Sequence, residues 1–303
     1  MVSEDQWTPL SDRDAPSARA LKDGVPAGLE TPLRGWIEST AEQYMDVIER
    51  VAVRTDVDLH PESYPYQYEG IDIVARLAYW TPTKKLLDIT DALLNLAPIR
   101  SLRDQPEIAS LAPWQAADTP HDLTHCIPLQ QLLADAGSLY TIRADGRALV
   151  RRLGPAVVAV TDEAAKAADQ PERGSATRHL RQALDAAYAL HPDPVKAYSE
   201  AIKAVESAAH ATLQPKHDQA TLGTMLGEFR QVRAKLTVPI AGKSGAEGLA
   251  VVESMMALLW TGQTSRHGNL QETREETVQE AVMAVHLAAS LVQFFASGVV
   301  QRS

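Results

Sequence analysis

The sequence predicts a mainly α-helical protein, in which a helical N-terminal region with one small β-hairpin precedes a helical bundle. Alanine, leucine and valine are abundant among the 303 residues, of which 45% are hydrophobic and only 5% aromatic. Alanine and leucine favour helices, and apolar residues recur three and four positions apart along most of the chain, as in an amphipathic helix. The period changes around Asp145-Gly146, where we expect the hairpin.

Charge and cysteine content limit the classes of protein to which the chain can belong. The net charge is −10 at pH 7, whereas a protein that coats nucleic acid needs many Lys and Arg side chains. We therefore expect no constitutive DNA binding and only local contact with any RNA. Cys126 is the single cysteine, so the chain can form neither an intramolecular disulfide nor a cysteine cage for a metal. We expect a cytoplasmic protein without a cofactor.

Helical periodicity in the N-terminal region predicts helices over residues 33–53, 68–79 and 83–97. The stretch 100–121 contains three prolines and is not assigned to one element. The segment "IPLQQLLADAG" predicts a further helix, with Gly137 near its C-terminal end.

The hairpin is predicted at about residues 138–152. There, Asp145-Gly146 lies between β-favouring residues, and this dipeptide is typical of a two-residue turn in which both residues have positive φ. A two-stranded ribbon is marginally stable alone, so we expect it to pack on helices.

The C-terminal region is predicted to be a bundle of about five helices, because the helical pattern returns from Thr161. Asp193 is expected to cap a helix that has Pro194 at its first position. The last helix, from about Glu275 to Ser297, approaches the length of a membrane span, but its start is amphipathic and a buried helix is the better prediction. We expect two domains: residues 1–160, a possible sensor or regulator, and the bundle, residues 161–303. The polar, acidic first residues do not resemble a signal peptide, and no membrane partner is expected.

Two short motifs suggest binding sites, but each has a simpler interpretation. "AGKSG" at 241–245 resembles part of a phosphate-binding loop, yet Thr237 stands where that motif requires glycine. A helix connector is the better interpretation. His121 and His125 are four residues apart and could share a metal. No third ligand is evident, so a polar helix start is favoured.

Arg266 and His267 form the best-placed chemical pair. Histidine titrates near neutral pH and can transfer protons, and arginine can hold a phosphate with two donors. Together they could support cleavage of RNA by its own 2′-hydroxyl without a metal. Adjacent side chains need not point the same way, so an anion clamp and an ordinary loop remain open.

Several stretches occur in the same order and at similar spacing in bacterial abortive-infection proteins of the AbiJ type, which the chain resembles. The resemblance covers most of the chain and is strongest over 179–269. It rests on "PLSDRDAP…VPAGLETPLRGWIEST", "LLADAGSLYTIRADGRALVRR", "HLRQAL", "DPVKAYSEAIKAVESAA", "TLGTMLGEF" and "LLWTGQTSRHGN".

The resemblance implies a HEPN-like helical domain at the C-terminus, homodimerisation, and a role in phage defence or toxin-like growth arrest. Many HEPN proteins are metal-independent ribonucleases, whose Arg and His, separated by a short polar spacer, meet across a dimer. By position, Glu206 and the Arg266-His267 pair match these sites. Here the Arg and His have no spacer, and Trp260 stands where an earlier Arg would be expected.

Three hypotheses follow from the sequence. The first is a defence or stress effector that cleaves RNA through Arg266 and His267, aided by Glu206. The second is a non-enzymatic HEPN-like interaction or scaffold protein, in which these residues bind at most an anion or a partner. The third is a nucleotide-sensing module with a phosphate in the same loop. For Glu206, a surface pair with His210 on the same helix is an equally good interpretation.

Overall fold

A computed structural model of the chain confirms the mainly α-helical fold class. Helices make up most of the residues that the structure describes, and strands occur there in two short antiparallel sheets of two strands each. The chain divides into two compact units, Met1–Arg152 and Leu153–Ser303. The described residues are 21–59, 72–97, 125–217, 219–240, 242, 246–265 and 273–302.

The first unit begins with two helices where the sequence pattern predicted one. Helix α1 spans Ala27–Gln43, and α2 spans Ile48–Thr55 after a 3₁₀ turn. The helix over 33–53 was therefore a wrong prediction, because the backbone leaves the helical conformation at Tyr44 (φ −127°, ψ 52°). The Tyr44 side chain is buried. Both helices bury apolar faces, so the hydrophobic spacing continues across the break and conceals it.

The next two predicted helices are present with altered starts. Helix α3, Ile73–Ala75, continues as a π-helix over Arg76–Trp80; residues 68–71 lie outside the described ranges, as does the whole of 100–121. Helix α4, Leu86–Leu96, follows a 3₁₀ turn over Thr83–Lys85. Helix α1 packs against α4 and the π-helix, and α2 packs against α4.

Helix α5, Cys126–Asp135, confirms the helix predicted before the hairpin. Gly137 follows it with φ 63°, and the Ser138 N–H donates to the Leu133 carbonyl at 2.9 Å. This left-handed glycine end satisfies a carbonyl of the last helical turn.

The hairpin is present, but its turn differs from the prediction. Strands β1, Tyr140–Ile142, and β2, Leu149–Arg151, pair antiparallel. Gly146 has φ 74°, whereas Asp145 does not have positive φ, so a two-residue turn with two left-handed residues was wrong. The Gly146 N–H instead donates to the Arg143 carbonyl at 2.8 Å, which puts the glycine at the fourth position of the turn.

The carboxylate of Asp145 explains this longer turn. It accepts hydrogen bonds from Nε of Arg143 at 2.9 Å and from the Arg147 N–H at 3.0 Å. Aspartate side chains commonly stabilise turns by bonding the backbone two residues on. The sheet packs against α4 and α5, as expected for a ribbon of this size.

The second unit is a helical bundle with a small sheet that the sequence did not predict. The boundary predicted between 160 and 161 falls inside α6, which belongs wholly to this unit. Strands β3, Leu236–Thr237, and β4, Gln301–Arg302, pair antiparallel. The helices are α6 Pro155–Ala167, α7 Ala176–Tyr188, α8 Pro194–Leu213, α9 Leu222–Gln231, α10 Glu247–Thr261 and α11 Val278–Ala296.

Helix α8 lies at the centre of the second unit, between α7 and α11. Asp193 caps it through the Lys196 N–H at 2.9 Å, with Pro194 at its first position, as predicted. One apolar stripe along this helix is buried: Tyr198, Ile202, Val205, Ala209 and Leu213. A second row of buried alanines (Ala197, Ala201, Ala204 and Ala208) lies beside it, and these small side chains let neighbouring helices approach closely.

The far end of α8 is held by the strand pair. The Arg302 guanidinium, in β4, donates to the carbonyls of Thr212 and Leu213, each at 2.8 Å. It also pairs with Glu228 of α9 at 3.1 Å. The last carbonyls of a helix lack donors within the helix, and the Arg302 guanidinium supplies donors to two of them.

Helix α11 has the length and composition of a membrane span, with a mean hydropathy of 1.4. Its buried face includes Ala281, Val285, Val292 and Phe295 and packs against α6, α7, α8 and α10. The bundle core therefore accounts for its apolar character, as the amphipathic start predicted.

Candidate functional site

The predicted catalytic pair, Arg266 and His267, lies outside the described residues. The structure describes the chain up to Ser265, just after α10, and again from Thr273, just before α11. The catalytic role of the two side chains therefore stays a prediction, and the structure describes the residues on both sides of the 266–272 segment.

A buried carboxylate joins the two ends of this segment. Oε1 of Glu276 accepts hydrogen bonds from the Ser265 backbone N–H at 2.9 Å and from the Ser265 hydroxyl at 3.0 Å. The Thr264 hydroxyl donates to the Arg274 carbonyl at 2.9 Å. Glu276 is only 4% exposed. These bonds hold the start and the end of the segment close together.

Glu276 is poised to remain ionised at neutral pH. Burial raises its pKa, but the backbone and hydroxyl donors of Ser265 outweigh this effect, so that the pKa lies below the ordinary value. Among the described residues, Oε2 of Glu276 has no hydrogen-bond partner.

The start of α11 carries a second carboxylate anchor. Glu280 accepts two hydrogen bonds from the Arg274 guanidinium, at 2.6 and 2.8 Å, and one from the Thr277 N–H at 2.8 Å. The Arg274 guanidinium and Thr277 lower the pKa of Glu280 to about 2. Thr277 and Glu280 form a capping box, which satisfies N–H groups at the helix start.

Glu206, the third predicted site residue, is engaged in holding a helix. Its Oε1 accepts from the Leu222 N–H at 2.6 Å, and Leu222 is the first residue of α9. The first N–H groups of a helix lack intrahelical acceptors, so the carboxylate supplies one from α8. This geometry gives Glu206 a structural role at the join of α8 and α9.

Trp260 packs against the first turn of α9, the turn that Glu206 also contacts. A Cβ placed on Gly223 would lie 2.5 Å from the Trp260 ring, so only glycine fits this approach of α9 to α10. Glu206 and Trp260 therefore contact neighbouring residues at the start of α9. Two positions that the resemblance relates to the site both stabilise this helix.

A second Arg-His pair, Arg178-His179 in α7, was not singled out from the sequence. Nδ1 of His179 lies 2.6 Å from Oε2 of Glu200 in α8, and Nζ of Lys203 lies 2.7 Å from Oε1 of the same carboxylate. Arg178 reaches Nε2 of His179 at 3.4 Å. The repeated Arg-His dipeptide, and a glutamate between the buried Ala197 and Ala201 of α8, were the available signals.

Helix α11 makes a further polar contact, with α7. Nε2 of His286 lies 2.7 Å from Oη of Tyr188 in α7, and the two ring planes differ by only 20°. Burial raises the pKa of Tyr188. His286 therefore contacts a neighbouring helix of the bundle.

The two motifs with simpler interpretations remain partly outside the described ranges. His121 lies outside them, whereas His125 packs near the rings of Trp36 and Tyr44, with centroid distances of 6.4 and 5.8 Å. In "AGKSG" only Gly242 is described, with φ 78°. Within the described part of the chain, no three His, Cys, Asp or Glu side chains gather as metal ligands would.

The second unit thus contains glutamates at several helix joins and a polar segment whose ends are fastened together. The HEPN-like interpretation rests on the order of motifs in the sequence. No protein-family model matches the chain, and no curated protein or solved structure matches it.

Proposed function

We propose that the chain is a HEPN-like protein of a bacterial abortive-infection or toxin-like system and that it cleaves RNA through Arg266 and His267. The observation that supports the proposal is the anchoring of the 266–272 segment by the buried carboxylate of Glu276. Catalytic groups act efficiently when supporting residues hold them in place.

In this proposal His267 accepts the proton of an RNA 2′-hydroxyl, and Arg266 stabilises the charge that develops on the phosphate oxygens. The reaction needs no metal and no cofactor. A homodimer in the cytoplasm is part of the proposal, because the resembling proteins assemble their sites across two subunits. The first unit would then serve as sensor or regulator.

Expression in bacteria tests the proposal directly. We expect the wild type to slow growth and degrade RNA, and Arg266→Ala and His267→Ala to reduce cleavage by about 100-fold or more. Lys196→Ala, which removes an exposed cation elsewhere, should behave like the wild type. Circular dichroism must show that all variants are folded. A wild type that neither slows growth nor cleaves RNA, even during phage challenge, would contradict the ribonuclease function.

The second candidate is a non-enzymatic interaction or scaffold protein in a defence or regulatory system. The engagement of Glu206 with the first N–H of α9 favours it, because this side chain already has a structural role. Glu206→Gln keeps a carbonyl oxygen that can accept from Leu222, whereas Glu206→Ala removes the acceptor. The scaffold function predicts that Glu206→Ala lowers the free energy of unfolding by about 0.5–2 kcal/mol and that Glu206→Gln lowers it much less. A folded Gln variant that has lost RNA cleavage would instead restore Glu206 to the catalytic site.

A further inference from the structure

The outward side of helix α10 is exposed, partly apolar and uncharged. Val251 and Leu258 are 57% and 49% exposed, and the other exposed residues after Gly248 in this helix are Ser254 and Thr261. Single exposed apolar residues are common on proteins. These two lie seven positions apart, however, which is two helical turns and therefore the same side of the helix. The four exposed residues together are here called the α10 face.

The α10 face carries no charge, although the chain has a net charge of −10. The acidic residues of this helix are Glu247, at its first position, and Glu253. Glu253 pairs with Arg230 near the end of α9 and with Arg233 just after it, each at 2.8 Å. The charge in the middle of α10 is therefore compensated on the side of α9, and the exposed side is neutral.

The other sides of α10 are occupied within the bundle. Trp260 lies against the first turn of α9, and the residues in the core are Leu249, Val252, Met256 and Leu259. A helix at the surface of a single chain normally has charged or polar residues opposite its buried side. Helix α10 instead has valine and leucine there, so it has a second side suited to packing.

The side chains of this second side fit another helix. A row of small residues, spaced four and three positions apart, runs beside Val251 and Leu258: Ala250, Ser254, Ala257 and Thr261. Helices pack when the large side chains of one enter the spaces between the side chains of the other, and small residues at the contact let the two axes approach closely.

We infer that the α10 face is the contact between two copies of this chain, packed antiparallel about a two-fold axis. Ser254 is three positions after Val251 and four before Leu258, so an axis near Ser254 places each Val251 against the partner's Leu258. Two copies that each carry a net charge of −10 repel wherever charged surfaces meet. The neutral α10 face lets them meet without this repulsion.

The inference gives a location to the homodimer of the proposed function. It rests on that part of the proposal alone, because a contact through α10 does not depend on RNA cleavage.

The molar mass of the purified full chain in solution tests the inference. By size-exclusion chromatography with light scattering, we expect the wild type to be a dimer. Val251→Lys and Leu258→Lys should be monomers, because each puts an unpaired charge into the contact. Val53→Lys, which replaces an apolar residue of α2 that is 82% exposed, is the matched control and should remain a dimer.

Cysteine cross-linking tests the position of the axis. Cys126 is the single cysteine and is buried, so Ser254→Cys introduces an exposed thiol. Mild oxidation should then link two copies through a disulfide, which forms only when the two Cα atoms lie within about 7 Å. Ser39→Cys, at an exposed position of α1, should stay unlinked.

A monomeric wild type would overturn the inference, as would a dimer that both lysine substitutions of the α10 face leave intact. Linking of Ser39→Cys as readily as Ser254→Cys would also overturn it. Should a lysine variant fail to fold, the two cysteine variants still decide, because both replace exposed serines.

RNA cleavage is measured separately on the same samples. A dimer that Leu258→Lys dissociates, in a chain that does not cleave RNA, supports the α10 contact and contradicts the ribonuclease function. Cleavage of RNA by a monomeric wild type contradicts the α10 contact and supports cleavage.

Discussion

The pKa of Glu276 lies below its ordinary value although the side chain is buried, because nearby donors compensate for the water that it has lost. The backbone and hydroxyl of Ser265 supply two hydrogen bonds to one oxygen. Glu200 is held ionised by Lys203 and His179, and Glu206 accepts from the first N–H of α9. Each glutamate therefore connects two segments of the second unit, so the replacement of one such side chain should destabilise more than its own helix.

Replacement of Glu276 by glutamine tests this role through its pH dependence. The substitution should lower the free energy of unfolding at pH 7 by about 1–3 kcal/mol, because hydrogen bonds to a charged acceptor are weakened. The folded-state pKa lies below the ordinary value of 4.5. The stabilisation by the carboxylate is therefore complete above pH 4.5 and is lost as the pH falls through the folded-state pKa.

Urea denaturation of the wild type and Glu276→Gln across this pH range measures the effect. The difference between them should shrink as the solution becomes more acidic. Glu275→Gln, at the exposed neighbouring position, serves as the matched control and should change little. A difference that is constant with pH would contradict the role given to the charge.

Among the helices, α9 is held from two sides, by Glu206 of α8 and by Trp260 of α10. The approach to Trp260 requires a residue without a side chain at Gly223, whereas Gly227, one turn later, faces open space. The two glycines therefore have different reasons for their presence in one helix, and they form a matched pair for experiment.

Gly223→Ala should destabilise the protein by about 1–3 kcal/mol, because the new methyl group overlaps the Trp260 ring. Gly227→Ala should be neutral or stabilise by up to about 1 kcal/mol, because alanine favours the helix. Thermal or chemical denaturation compares them. Equal effects of both substitutions would mean that the contact with Trp260 does not restrict this position.

The elements also show why some features could be predicted and others could not. The stretches that form α4, α5 and α8 have apolar spacing and end signals within a few residues, such as Asp193-Pro194 and Gly137, so local sequence was sufficient. The break at Tyr44 has no local signal, because both flanking helices are apolar on one side. The pairing of β3 with β4 joins residues more than sixty positions apart in strands of two residues. No local sequence pattern predicts such a pairing.

The candidate site residues also divide into those that local sequence indicates and those whose contacts depend on folding. Arg266 and His267 were found by residue type, whereas the anchoring of their segment by Glu276 depends on contacts made by folding. Glu206 was selected by its position in a motif, and its contact with the first N–H of α9 depends on the packing of two helices. The contact of His179 with Glu200 joins two helices, so a linear pattern gave each residue no reason to be paired with the other.

For the whole molecule, the described core of the second unit is built from that unit's own residues, from Ala164 to Val300. A fragment of residues 153–303 should therefore fold as a helical domain with a cooperative thermal transition by circular dichroism. A fragment of residues 161–303, which cuts α6 near its middle, should melt at a lower temperature. Equal stability of the two fragments would place the unit boundary later than Arg152.

The hydrogen bonds from Arg302 to the end of α8 connect distant parts of the second unit. An arginine 89 positions later in the chain fastens the final carbonyls of the helix that carries Glu200 and Glu206. Proteolytic removal of β4, or pairing of β4 with another strand, would remove these hydrogen bonds and let α8 fray from its far end. The contacts of Glu200 and of Glu206 would then be loosened by an event at β4 that touches neither of them.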